Sequence, residues 1–248
     1  MNEFCRLRWI AFLMVSLFPQ INSICQQRVN FNSSDNVRLT ADFYKSGSSN
    51  TFVIFFHQEN SSRGEYSEIA PKIRKLGYNC LAVDLRYGDK FEYIKNETRE
   101  FIDSLGMNAI PYEARKDIVA SIDFAFKQNH KPVILFGSSY SASLCLLVGK
   151  NNPKVKAVIG FSPGEFFGSQ FSVKDSIIGF NKPLFLASTS DENIYLKEMT
   201  KGVPTLSKSI FSPSSGKGLH GAKSLTNLCN NKDEYWLALL LFFRELEE

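Results

Sequence analysis

The sequence predicts an α/β fold in which a mostly parallel sheet carries helices on both faces, with no large cap domain. Three observations carry that expectation. From residue 51 onward, short apolar runs alternate with stretches whose apolar residues recur at helical spacing. The runs are apolar throughout instead of at every second residue, as in strands covered on both sides. A chain of 248 residues is long enough for one sizeable core and short for two.

The N-terminus reads apart from the rest. Arg6 and Arg8 precede an apolar run over 9–18, which ends at Pro19 and a polar stretch before Cys25. This is the layout of a secretory signal peptide, too short to span a bilayer comfortably. The expectation is a leader over 1–25, cleaved between Ser23 and Cys25, and a secreted or periplasmic domain over 26–248 with no stable membrane anchor. An uncleaved anchor is the alternative. Lipidation of Cys25 is disfavoured by the bulky Ile24 before it.

The elements then follow in order. Residues 28–31 and 37–44 read as a hairpin around the polar turn 32–36, giving the sheet an antiparallel edge. After a Gly/Ser/Asn loop at 46–50, residues 51–56 form a buried strand, 65–76 a helix despite Pro71, and 80–85 a second strand. Residues 90–110 look irregular and long enough for a small lid or access loop. Helical spacing covers 111–127, then come a strand at 133–136 and a helix at 139–150. Strands at 155–161, 183–188 and 208–211 and an amphipathic helix at 232–248 complete the chain.

Composition excludes several function classes. A net charge of +4, with lysines scattered among acids, argues for a solvated mixed surface and against nucleic acid. Beyond the leader only Cys80, Cys145 and Cys229 remain, at unrelated spacings, so no zinc or disulfide framework follows. Cys80 and Cys145 fit buried inert thiols, while a disulfide through Cys229 is left open. No metal and no cofactor is expected. Asn32, Asn60 and Asn96 head three sequons that matter only where such sites are glycosylated.

The chemistry centres on Gly137-Ser138-Ser139-Tyr140-Ser141, set between the strand VILF and the helix ASLCLLVGK. A strand, sharp turn and helix is the context that gives a GxSxG-like pentapeptide meaning, because small residues must flank the nucleophile where the backbone is strained. Ser141 stands where the second glycine is usual. Taken alone, the pentapeptide is equally a serine cap of a helix. An activated serine also needs a base, an acid to orient the base, and donors for the oxyanion, all beyond the carboxyl ends of the strands. Ser139, Asp191 and His220 occur in the order nucleophile, acid, base.

Only three histidines exist. His130 precedes a strand at the wrong end of the sheet, and His57 ends a strand at the right end but comes before the nucleophile. That leaves His220, between Leu219 and Gly221, as the base. For the acid, Asp191 stands closest behind a well-defined strand, with Glu192 and Asp175 as alternatives.

These pieces resemble the α/β-hydrolase superfamily, and within it the dienelactone-hydrolase-like serine hydrolases, over nearly the whole chain beyond the leader. The resemblance is carried by His57-Gln58, Arg63-Gly64-Glu65-Tyr66, Asp84-Leu85-Arg86-Tyr87-Gly88, the turn at 137–141, Ser162-Pro163-Gly164-Glu165 and Leu219-His220-Gly221. It implies the three-layer α/β-hydrolase fold and an oxyanion hole made by the backbone N–H groups of Gln58 and Tyr140. Dienelactone hydrolases proper use a cysteine nucleophile, so their lactone substrates do not carry over to Ser139.

Around the cleft, His57, Arg63, Glu165 and Phe166 are the candidates for substrate binding. For Arg63, Glu65, Arg86 and Glu165, mutual pairing that fixes loop shape is the leading alternative, and for Phe161, Phe166 and Phe167 it is ordinary core packing. The expected activity is hydrolysis of a small carboxylic ester through an acyl-enzyme. A peptidase, thioesterase or acyltransferase with the same triad, or a binding protein on a hydrolase fold, are the rivals.

Overall fold

The structure, a computed structural model, describes residues 26–46 and 51–247. The expected leader over 1–25, its cleavage point, Cys5, Cys25 and most of the loop at 46–50 lie outside the described residues.

In chain order the strands and helices are β1 Gln26–Asn32, β2 Arg38–Tyr44, β3 Phe52–Phe56, α1 Ala70–Lys75, β4 Asn79–Val83, β5 Lys90–Phe91, β6 Ile94–Lys95, α2 Glu97–Ser104 and α3 Arg115–Asn129. They continue with β7 Val133–Ser138, α4 Tyr140–Lys150, β8 Val155–Phe161, α5 Val173–Ser176, β9 Leu184–Ala187, α6 Asn193–Met199, β10 Lys208–Phe211 and α7 Lys232–Glu245. Eight strands form one sheet in the order β1-β2-β4-β3-β7-β8-β9-β10. β1 and β2 pair antiparallel, as does β2 with β4, and from β4 to β10 the pairing is parallel. The sheet is therefore mostly parallel with an antiparallel edge, as the sequence predicts.

Residues buried on both faces explain the continuous apolar runs. Every residue of β3, β4 and β7 is buried. On one side Ile54, Phe56, Leu81 and Leu135 pack under Ile118 and Ile122 of α3 and Leu144 of α4. On the other, Val53, Phe55, Ile134 and Phe136 meet Ile73 of α1 and Tyr235, Leu239 and Phe242 of α7. Each such side chain withdrawn from water stabilises the fold by about 1.5–3 kcal/mol before entropy is subtracted. Cys80, Cys145 and Cys229 are buried free thiols, so among the described residues Cys229 forms no disulfide.

Two segments differ from expectation. The helix expected over 65–76 is broken into a 3-10 turn, Arg63–Tyr66, and α1, which takes Pro71 in its first turn, where its missing N–H is not needed. The segment 90–110 is not irregular: β5 and β6 form a small hairpin and α2 follows. Two-residue strands are too short to show alternation, and the apolar face of α2, Phe101 and Ile102, spans a single turn of an eight-residue helix. Its one legible signal is Asn96, whose side chain caps the helix by accepting from the N–H of Arg99 at 2.8 Å. Among the described residues no helix is long and apolar enough to cross a membrane.

The topology positions the site. The chain leaves β3 toward β4 on one side and returns to β7 on the other, so the loops after β3 and β7 diverge at the switch point of the sheet. Phe56 pairs with Gly137, which sets the loop opened by His57 beside the turn that carries Ser139.

Candidate active site

Ser139 sits between β7 and α4 with φ 58° and ψ −124°, a left-handed conformation that a serine adopts only when its surroundings impose it. Its N–H donates to the Phe161 carbonyl at 2.8 Å. The turn is tight enough that a Cβ on Gly137 would lie 2.5 Å from Cα of Ala142, which demands glycine there. Ser141, in the place of the usual second glycine, is accommodated by hydrogen bonds. Its Oγ accepts from the N–H of Ser138 at 3.0 Å and has the carbonyls of Phe56 and Ser138 within 2.7 and 2.9 Å to receive its proton.

The structure brings Ser139 and His220 together: Nε2 of His220 lies 2.8 Å from Oγ of Ser139. Nδ1 lies 2.6 Å from Oε1 of Glu192. A carboxylate only accepts, so Nδ1 carries the proton, and in the neutral ring Nε2 accepts from the serine hydroxyl. The loop holding His220 is tied to the turn of Ser139, for the N–H of Ala222 donates to Oγ of Ser138 at 2.9 Å. Gly221, at φ 72°, leaves room for this, since a Cβ there would stand 2.5 Å from the same Oγ.

The expected acid, Asp191, is not the residue on His220. Its carboxylate is exposed and pairs with Lys217 at 3.1 Å. Glu192 takes the position because it closes a reciprocal cap with Thr189. The Glu192 N–H donates to Thr189 Oγ1 at 3.2 Å, and the Thr189 N–H donates to Glu192 Oε2 at 3.1 Å. Oε2 also accepts from Ser162 Oγ at 2.7 Å, which leaves Oε1 for the imidazole. Burial is the largest single influence on this carboxyl and would raise its pKa. The bonds from His220, Ser162 and Thr189 together outweigh it and bring the pKa down to about 2. The pattern Thr189-Ser190-Asp191-Glu192, a capping box, was the sequence signal that distinguished the two neighbouring acids. Asp175, the other alternative, is exposed on α5.

Of the two expected oxyanion donors, Tyr140 opens α4, and among the described residues its N–H has no acceptor. The N–H of Gln58 does not fit its expected role, because it donates to Oε2 of Glu65 at 2.9 Å. The next N–H in that loop, of Glu59, has no acceptor among the described residues. Nothing in the sequence separated positions 58 and 59, since the occupying carboxylate lies several residues downstream.

Three of the four expected substrate-binding residues are spent on the fold. His57 is fully buried. Its Nε2 accepts from the N–H of Leu85 at 2.9 Å, and Nδ1 donates to the carbonyl of Gln58 at 2.8 Å. Burial lowers its pKa, so the ring is a neutral strut. Arg63 is buried and bound to Asp84, Asp42, Glu97 and the carbonyl of Lys95. Arg86 is likewise taken up by Asp117 and Asp35. Glu165 accepts from the N–H groups of Val173 and Lys174, both at 2.7 Å, and so caps α5. Phe161 stacks on Phe136 in the core, and Phe167 is buried against Phe171, whereas Phe166 is exposed.

No family model matches the chain, and no curated protein matches it in sequence. Solved structures do match. An esterase of Pyrococcus furiosus, Pf2001, superposes with a TM-score of 0.63 at 18% identity, over 90% of this chain and 91% of its own. The esterase domain of a Rhodothermus marinus protein gives 0.60 at 16% over 90% and 98%. A dienelactone hydrolase from Anabaena variabilis gives 0.61 at 15% over 88% and 94%. With an eight-stranded, mostly parallel sheet, helices on both faces and no large extra domain, this chain has the α/β-hydrolase fold.

Proposed function

We propose that the protein is a secreted serine hydrolase that cleaves small carboxylic esters through an acyl-enzyme on Ser139. The observation that carries the proposal is the unbroken run of hydrogen bonds from Ser139 Oγ through His220 to Glu192, mounted on a strained turn at the switch point of the sheet. Export rests on the leader-like residues 1–25.

In this reading Ser139 Oγ attacks the ester carbonyl as its proton passes to Nε2 of His220. Glu192 holds the imidazole in the tautomer that accepts this proton and stabilises the imidazolium that forms. The N–H groups of Tyr140 and Glu59 receive the negative oxygen, each donor lowering the barrier by about 3 kcal/mol. The tetrahedral intermediate collapses, the alcohol leaves with the proton from His220, and the acyl group stays on Ser139. A water that loses its proton to Nε2 then attacks the acyl-enzyme, and the acid is released. This chemistry uses the chain's own residues throughout.

Hydrolysis of a short aryl ester series by the purified protein and by Ser139→Ala tests the assignment. The expected result is turnover that is lost in the variant. Turnover that persists in Ser139→Ala would place the chemistry elsewhere, and preferential cleavage of acyl thioesters or peptides would redirect the substrate class.

A further inference from the structure

We propose that Glu59 sets the charge preference of the site, favouring neutral and cationic esters and turning away anionic ones. This rests on the esterase reading above.

Glu59 follows β3 by three residues, in the loop whose N–H group is proposed to receive the oxyanion, and its side chain is exposed. The carboxylate does not hang free. It accepts from the hydroxyl of Tyr87 at 2.6 Å, and the carbonyl of Tyr87 accepts from the hydroxyl of Tyr140 at 2.7 Å. The two rings also meet edge to face, with centroids 5.5 Å apart. Tyr140 is the neighbour of Ser139, so two hydrogen bonds and a ring contact fix a negative charge relative to the nucleophile. The phenol of Tyr140 feels it. Burial first, then Asp117, and after it Glu59 and Glu65 among others, push that hydroxyl well above its ordinary pKa.

Among the described residues, most of the cations in these loops are paired with acids. The guanidinium groups of Arg63 and Arg86 are enclosed in buried ion clusters. Arg99, whose charge reaches Tyr87, is paired with Asp103 at 2.8 Å. Lys217 pairs with Asp191, whereas Lys223, over the ring of Phe91 in the turn after His220, keeps its charge. Glu192 adds a further carboxylate behind the imidazole of His220. An anionic acyl group would thus enter a site whose fixed charges repel it, just as a second negative charge develops at the carbonyl. Repulsion between a fixed exposed charge and an anionic substrate costs about tenfold in kcat/KM.

The test compares the wild type with Glu59→Gln on three aryl esters of similar size: a neutral acyl group, a trimethylammonio-acyl group and a hemisuccinate. The quantity read is the ratio of kcat/KM between charged and neutral esters, which cancels any general effect of the substitution. The expected result is a wild type that disfavours the hemisuccinate by about tenfold, a ratio that closes to within about threefold in Glu59→Gln, and a wild-type ratio that shrinks at high salt. Equal ratios in the two proteins, or a wild type that prefers the hemisuccinate, would overturn the proposal. Labelling of Ser139 by neutral and anionic fluorophosphonates gives the same ratio without ester turnover. A protein that labels yet hydrolyses no ester would contradict the esterase reading while the charge preference is still measured.

Discussion

Nδ1 of His220 stands 2.6 Å from Oε1 of Glu192, while Asp191, one residue earlier, turns outward to Lys217. The geometry therefore distinguishes two adjacent acids that composition and chain order treat alike. In Glu192→Gln the Thr189 N–H and the Ser162 hydroxyl hold the amide oxygen, which turns an NH2 donor toward Nδ1 and favours the wrong imidazole tautomer, and kcat/KM is expected to fall on the order of 10³- to 10⁴-fold. Asp191→Asn breaks only an exposed ion pair and should leave kcat/KM within about twofold of wild type. Steady-state kinetics of the two variants, side by side, check this. Comparable losses in both would return Asp191 to the site.

Arg63 is a scaffold residue in this structure. Arg63→Ala leaves the carboxylate of Asp84 buried without its cation and Asp42 with Arg28 alone, and the expected cost is about 3–5 kcal/mol of unfolding free energy. Denaturant titration measures it. A variant of wild-type stability with a raised KM would instead mark Arg63 as a substrate ligand.

His57 ties folding to pH. Its folded pKa lies below the ordinary value of 6.5 because burial penalises the charged ring, and its Nε2 must remain bare to accept from Leu85. The unfolded chain therefore binds a proton that the folded one refuses. The stability this group contributes is present above pH 6.5 and is lost as pH falls below it, by at most about 1.4 kcal/mol per pH unit. Urea midpoints between pH 7.5 and 5.5 should fall more steeply for the wild type than for His57→Gln. Parallel slopes would show that another group governs the acid limb of stability.

How much of this was legible in the sequence depends on the range of the interaction concerned. Strands buried on both faces and the strand, turn and helix around Ser139 are local patterns, and the structure has them at 133–150 almost to the residue. His220 was reachable because only three histidines compete. The helix Glu97–Ser104 was missed because its apolar face spans a single turn, although its cap at Asn96 was visible. Glu192 stood only as an alternative to Asp191, although its cap with Thr189 was also visible. Other side chains could not be assigned from residue type at all. Whether Arg63 binds a substrate or Asp84, whether His57 faces a cleft or Leu85, and whether the N–H of Gln58 is open or held by Glu65 are set by contacts between distant segments.

The central claim is that Ser139 is an activated nucleophile. Incubation of the folded protein with a neutral fluorophosphonate, followed by digestion and mass spectrometry, tests it most directly. The account predicts a single phosphonyl adduct on Ser139 that forms rapidly in the wild type and far more slowly in Glu192→Gln and His220→Ala. No adduct, or an adduct on another residue, would contradict it.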